Sequence, residues 1–146
     1  MSWQTDLITT LTSDSALSTL LTGGWSDAES LPKQGMSLSN APKTPDGVSI
    51  APFGVIRRRG MNDEGIRDLN AERGSIEFYI YADRGYATIE RAIFRLKALL
   101  NEKLFVSSDV SLAFLRFTFV SGELMADELA YAPFKFVRFN LIVRRK

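Results

Sequence analysis

Across residues 86–104 the apolar side chains Ile89, Ile93, Leu96 and Leu100 fall on one helical stripe, whereas the flanking segments alternate apolar and polar residues. This change of period constrains the fold more than any other feature. A helix of that length spans about 28 Å, enough to cross a four-stranded sheet. Its stripe, widened by Phe94 and Leu99, needs an apolar platform, and its outer side carries Glu90, Arg91, Arg95 and Lys97. The neighbouring segments supply the platform. Before the helix, residues 74–82 alternate Ile76, Phe78 and Ile80 with Glu77, Tyr79 and Tyr81. Residues 48–58 are also β-rich, with Val48, Ile50 and Ile56, while Pro52 and Gly54 imply an edge or a break. These two segments predict a hairpin. After the helix come residues 110–120 and 134–143; in the latter, Val137, Phe139, Leu141 and Val143 face one way and Arg138, Asn140 and Arg144 the other.

At the start of the chain, Trp3, Leu7, Ile8 and Leu11 recur at helical spacing. Ser13-Asp14 then offers an N-cap for a second short helix with Leu17, Leu20 and Leu21 inward, closed by Gly23-Gly24. Helices this short must pack on something larger. The expected fold is α+β: a mainly antiparallel sheet of about four strands packed by one long helix, with a short N-terminal helical pair and long loops. Residues 1–146 are expected to form a single domain, long enough to bury roughly 70% of the unfolded chain's surface.

Two segments have no place in that layered core. Residues 25–47 contain Pro32, Pro42, Pro45, Gly35, Asn40 and Gly47 and show neither period, so they predict a long loop. Its scattered Trp25, Leu31, Met36 and Leu38 favour an arm docked on a neighbour or on its own domain. Residues 60–73 carry Asp63, Glu64, Arg67, Asp68, Glu72 and Arg73 around Met61, Ile66 and Leu69. They predict a projecting charged loop, longer than a hairpin needs, that would serve as an assembly arm by burying its apolar residues against a partner. The basic run Arg57-Arg58-Arg59 leads into it. Such short runs are more often solvated strand ends than binding patches.

Composition narrows the function. The chain has no histidine and no cysteine. A general base would therefore have to be a carboxylate, lysine or tyrosine with a strongly shifted pKa, and thiol chemistry, disulfides and the usual zinc sites are closed to it. An enzyme is not expected, nor is a cofactor. Asp63, Glu64 and Asp68 lack the spacing and glycine of a calcium loop and have Arg67 among them, so they predict no metal site. Neither Gly23-Gly24 nor Arg84-Gly85 has the context of a phosphate-binding fingerprint. The N-terminus lacks a signal-peptide pattern and no apolar run approaches the roughly 20 residues of a membrane helix, so a soluble, cytoplasmically synthesised protein with no membrane partner is expected. A formal net charge of +1 gives no global sign of a nucleic-acid binder, although residues 106–146 hold six bases and four acids. The phenylalanines Phe114, Phe117, Phe119, Phe134, Phe136 and Phe139 invite comparison with base-stacking platforms, but their alternation with aliphatic residues favours core packing.

Read in order, the stretches TSDSALSTLLTGGW, TPDGVSIAPFGVIRRRG, GSIEFYIYADRGYATIERAIFRLKALLNE and FKFVRFNLIVRRK resemble tail-completion and tail-terminator proteins of tailed bacteriophages over nearly the whole chain. The resemblance rests on their layout. An early helix with Asp14 and Leu17 precedes a proline-rich loop and a strand ending in basic residues; Tyr81-Ala82 leads to the long helix, and the last strand contains Arg138-Phe139. It implies a non-enzymatic virion protein that forms a ring, typically six-fold, at the head-proximal end of the tail tube. That ring stops tube polymerisation and joins the tail to the neck. The implied partners are copies of itself, the tail tube protein, neck and head-completion proteins, and double-stranded DNA passing through the lumen without sequence readout. The sheet is expected to face or support the lumen, with the long helix bracing its outer side. A head-completion protein docked on the portal and a non-catalytic nucleic-acid-binding accessory protein are the alternatives. The latter requires a continuous basic face in three dimensions.

Overall fold

The computed structural model describes residues 3–27, 51–63, 71–82, 86–106, 110–126 and 132–145. Helices α1 (Trp3–Ser13) and α2 (Ser15–Leu20) open the chain, followed by strands β1 (Trp25–Asp27), β2 (Phe53–Asp63) and β3 (Ala71–Tyr81). Helix α3 (Ala87–Leu100) leads to β4 (Leu104–Phe105), β5 (Val110–Val120), β6 (Leu124–Ala126) and β7 (Ala132–Arg145). The α+β layering is as expected; among the described residues four long strands, β2, β3, β5 and β7, are joined in one sheet by the short β1, β4 and β6. Their order is β1-β2-β3-β7-β5-β4, with β6 pairing on β7 beyond the end of β5. Among the described strands only β1 and β2 run parallel. The last long strand is therefore central: β7 pairs with β3 from Ala71↔Arg144 to Tyr81↔Phe134 and with β5 along its other side.

The core lies between one sheet face and the helices. Ile89, Ala92, Ile93, Leu96 and Leu100 of α3 are buried against Ile56, Ile76, Phe78, Ile80, Ala113, Leu115, Val137, Phe139, Leu141 and Val143. In α3, Phe94 departs from expectation, being 75% exposed. At 3.6 residues per turn it lies roughly 140° around the helix from the centre of the buried stripe of Ile89, Ala92, Ile93, Leu96 and Leu100. The helix also ends earlier than the periodicity implies. Asn101 and Glu102 form a turn, with Glu102 at φ 62°, and this reverses the chain so that Leu104 pairs with Phe114 of β5. Trp3, Leu7 and Leu11 bury the inner side of α1, whereas Ile8 is exposed.

Asp14 joins the two helical layers. As N-cap of α2 it accepts from the Leu17 N–H at 3.0 Å, and it receives Arg95 of α3 at two oxygens, Nε at 3.0 Å and Nη2 at 2.6 Å. The Arg95 guanidinium holds the Asp14 carboxyl below the usual carboxylate range; burial opposes this and the Leu17 N–H reinforces it. A depressed folded-state pKa contributes stability above the unfolded value, about 3.9, that is lost as the pH falls through the lower folded value. Asp14→Asn, which keeps a capping oxygen but no charge, is therefore expected to be the less stable protein at neutral pH. The gap should close below about pH 4. Thermal melting across that range checks this, and a gap that persists in acid would assign the loss to packing.

Trp25 belongs to this fold more closely than a loop tip would. Gly24, at φ +78°, turns the chain into β1, and its carbonyl accepts from the Gly54 N–H at 3.0 Å. Trp25 pairs with Gly54, and its ring meets Phe78 edge-on at 5.7 Å and 82°. A Cβ on Gly54 would sit inside the indole. Pairing large with absent side chain is what lets β1 lie on β2. Gly54→Val is expected to expel Trp25 and to cost about 1–3 kcal/mol, the usual range for overpacking. Loss of native tryptophan fluorescence together with a lowered melting temperature would report it.

Strands β2 and β3 also run further than expected. Residues 60–63 and 71–73 are strand rather than projection, with Asn62 opposite Arg73 and Asp63 opposite Glu72 after an irregularity beyond Arg59. Residues 64–70, the remainder of the predicted charged loop, lie outside the described part of the chain, as do residues 28–50.

Candidate functional site

Because side chains alternate along a strand, the register that buries one face fixes the composition of the other. On the face away from the helices, β2, β3, β7 and β5 set up successive rows. Phe53, Tyr81 and Phe134 form the first row; Val55, Tyr79 and Phe136 the second; Arg57, Glu77, Arg138 and Phe119 the third. Ser75, Asn140 and Arg116 follow, then Arg73, Ile142 and Phe114, with Arg144 beyond Ile142 on β7. One end of the face is aromatic and the other is arginine-rich.

The aromatic end is consolidated within the subunit. Phe53 stacks on Tyr81 at 4.9 Å, Tyr81 on Phe134 at 5.1 Å, and Tyr79 on Phe136 at 5.1 Å. Cross-strand aromatic pairs of this kind each add about 0.5–1.5 kcal/mol beyond area burial. Phe53 and Val55 are buried. Only Phe139 of the six phenylalanines considered above is fully buried in the helix-side core, with Phe117 packed at its margin. Phe114, Phe119, Phe134 and Phe136 belong to the opposite face, which the one-core expectation did not anticipate.

Between the two ends sits the charged row. Glu77 is 1% exposed, and one of its oxygens accepts from Arg138 through Nε at 3.1 Å and Nη2 at 2.9 Å. The Tyr79 hydroxyl reaches the other oxygen at 3.4 Å. The Arg138 guanidinium also lies over Phe119 and Phe136, at 5.6 and 5.7 Å, and Arg57 lies over Tyr79 at 5.3 Å. Aromatic faces attract a guanidinium while leaving part of its edge in water. Further along, Arg73, Phe114, Arg116, Asn140 and Ile142 line a shallow hollow. Arg57, Arg73, Arg116 and Arg144 are exposed, and Glu77 is the single acid among the described side chains of this face. Chemically, such a surface is suited to holding anions by charge. Among the described residues no group of acids could hold a metal ion.

Those expected assembly residues that the structure describes lie on the neighbouring strands β1, β2 and β3. Arg57 is exposed on this face, and Arg58, opposite Ile76, is half-buried on the helix side. Arg59, Met61 and Asp63 belong to β2, Glu72 and Arg73 to β3, and Trp25 to β1. Leu31, Met36, Leu38, Glu64, Ile66, Arg67, Asp68 and Leu69 lie outside the described residues. The residues that sequence reasoning left out of its site are Glu77, Arg116, Arg138, Asn140 and Arg144. The alternation of the last strand had already turned three of them away from the core; what was missing was the central position of β7 between β3 and β5.

No family model matches this chain, and no curated protein matches it by sequence. Its α+β architecture, however, is shared with a chain of one solved virion. A chain described as "Virion of native gene transfer agent (GTA) particle" has a similar fold, with a TM-score of 0.58 over 93% of this chain and 90% of that chain, at 17% identity. The similarity is one of fold.

Proposed function

We propose that this protein is a non-enzymatic virion subunit that forms a ring, typically six-fold, at the head-proximal end of a phage tail tube, where it ends tube growth and joins tail to neck. The observation that carries the reading is the likeness to a virion chain, which extends over nearly the full length of both chains. The order of motifs resembling tail-completion and tail-terminator proteins supports it independently. The sheet adds a geometric argument: among the described strands its two ends differ, with the parallel β1 at one and the two-residue β4 at the other. Unlike edges suit a heterologous contact, in which one side of a subunit meets a different side of the next and rotation closes the ring. Exposed Leu104 and Val106 lie at and beside β4, and exposed Phe94 lies on α3, outside the sheet's open face. Copies of the chain, the tail tube protein and neck proteins are the partners in this reading.

Light scattering and negative-stain images of the purified protein, alone and with tail tubes, test it. Closed rings, or rings capping the tubes, are expected. A protein that stays monomeric and ignores both tail tubes and neck components would refute the proposal.

A further inference from the structure

We infer that the β5 side of the open sheet face, from Phe119 to the hollow at Phe114, is a socket for the β6 end of a second copy of this chain, with Glu123 and Leu124 as the inserted residues. The identity of the occupant rests on the ring reading; the two surfaces are read from burial, charge and register. Phe119 stands in the middle of the face and is 46% exposed. Its surroundings are already in place, since Arg138 lies over both Phe119 and Phe136 and is held there by Glu77. Arg116 comes next on the same side of β5 and is exposed. Beyond it, half-buried Phe114 and Ile142 line the hollow together with Arg116 and Asn140. An exposed ring flanked by guanidinium groups and a recess has the make-up of an interface centre, where aromatic and arginine side chains carry most of the binding energy. Side chains fixed before contact lose little freedom on binding.

Charge selects the occupant. Arg116 makes no ion pair among the described residues, so an acid is the group that completes the socket. In the sequence, residues 117–134 hold Glu123, Asp127 and Glu128 and no base, whereas residues 135–146 hold five bases and no acid. Three acids are exposed among the described side chains: Glu90 is paired with Lys135, Glu102 adjoins Lys103, and Glu123 has no ion pair among the described residues. Leu124 follows Glu123 and is 38% exposed, which sets an apolar anchor beside the free acid. Strand β6 carries both past the end of β5, on β7. One subunit cannot join its own two surfaces. Leu124 lies opposite Phe134 and Arg116 opposite Asn140, six residues further along β7, about 20 Å at 3.4 Å per residue. The pairing is therefore between copies, and because its two sides are different surfaces it is heterologous, the kind of contact that closes into a ring when the rotation allows.

The test is complementation between full-length variants, read by analytical ultracentrifugation and by negative-stain images with and without tail tubes. Arg116→Glu with Phe119→Ser removes the socket and keeps the β6 end; Glu123→Lys with Leu124→Ser does the reverse. Each variant alone should need at least about tenfold more protein to self-associate, because like charges then face each other across the contact. Mixed in equal amounts, the two should form a one-to-one dimer and stop there, since each pair retains a single intact socket and a single intact β6 end. Circular dichroism checks folding, and if the socket variant misfolds, the single Arg116→Glu carries the same comparison. Variants that assemble like the native protein, or a mixture that stays monomeric, would overturn the inference. So would socket variants that form normal rings yet no longer cap tail tubes, which would give the socket to a different protein. Normal rings from both variants would remove this contact and leave the ring reading intact. One-to-one dimers from the mixture, with a native chain that builds open filaments and ignores tail tubes, would keep the contact and remove the ring.

Discussion

Removing residues 137–146 is expected to abolish folding altogether. The segment is the greater part of β7, the strand on which β3 and β5 both pair. Val137, Phe139, Leu141 and Val143 are fully buried beneath α3 and its neighbours. Each is worth about 1.5–3 kcal/mol of burial, against a total stability of about 5–15 kcal/mol for a domain. The truncation would also leave β3 and β5 with unpaired backbone groups on the edges they now share with β7, a further penalty and an invitation to aggregate. Loss of residues 144–146 alone removes no buried side chain among those described and should leave a folded protein, since Arg144 is exposed. Circular dichroism and thermal melting of the two truncations decide the matter. A cooperative melt of the longer truncation near the full-length temperature would show that β7 is not the centre of the fold.

The importance of that strand was visible in the sequence; its pairing with β3 was not. The alternation of Val137, Phe139, Leu141 and Val143 with Arg138, Asn140 and Arg144 fixes a two-faced strand, and the stripe of Ile89, Ile93, Leu96 and Leu100 fixes the helix that covers one face. Neither pattern says that β3 and β5 are the partners, because register between distant segments leaves no local mark. The short β1, β4 and β6 carry two or three residues each, too few to show a period. Phe94 was misread for a related reason: a single large apolar residue adds to a helix's hydrophobicity whichever side it occupies, and only its angle places it in solvent. Glu77 illustrates the opposite limit. Its alternation with Ile76 and Phe78 turns it away from the core, which normally means exposure, but its pairing with Arg138 and its position beside Tyr79 bury it. The candidate site is legible as a polar sheet face and becomes a basic surface only once β2, β3, β7 and β5 are laid side by side.

The Glu77–Arg138 pair yields the second large effect. Arg138→Met should destabilise the protein by about 3 kcal/mol, near the lower end for removing one partner of a buried pair because Arg138 is 42% exposed on its side chain. The cost lies mainly in what remains: a carboxylate 1% exposed that has lost both guanidinium hydrogen bonds. Arg57, opposite Glu77 on β2, offers a partial substitute and limits the loss. Removing the carboxylate should then relieve the damage. The double variant Glu77→Met, Arg138→Met replaces the pair with apolar side chains of similar length beside Tyr79 and Phe136, and an exchange of this kind is often neutral or stabilising. It should therefore recover most of the stability lost by the single change, giving a coupling of about 2 kcal/mol or more, within the range for residues in direct contact. Urea denaturation of the native protein, both single variants and the double variant closes the cycle. Additive losses in the double variant would mean that Glu77 and Arg138 act independently, Arg138 then contributing through its packing over Phe119 and Phe136 rather than by neutralising the buried acid.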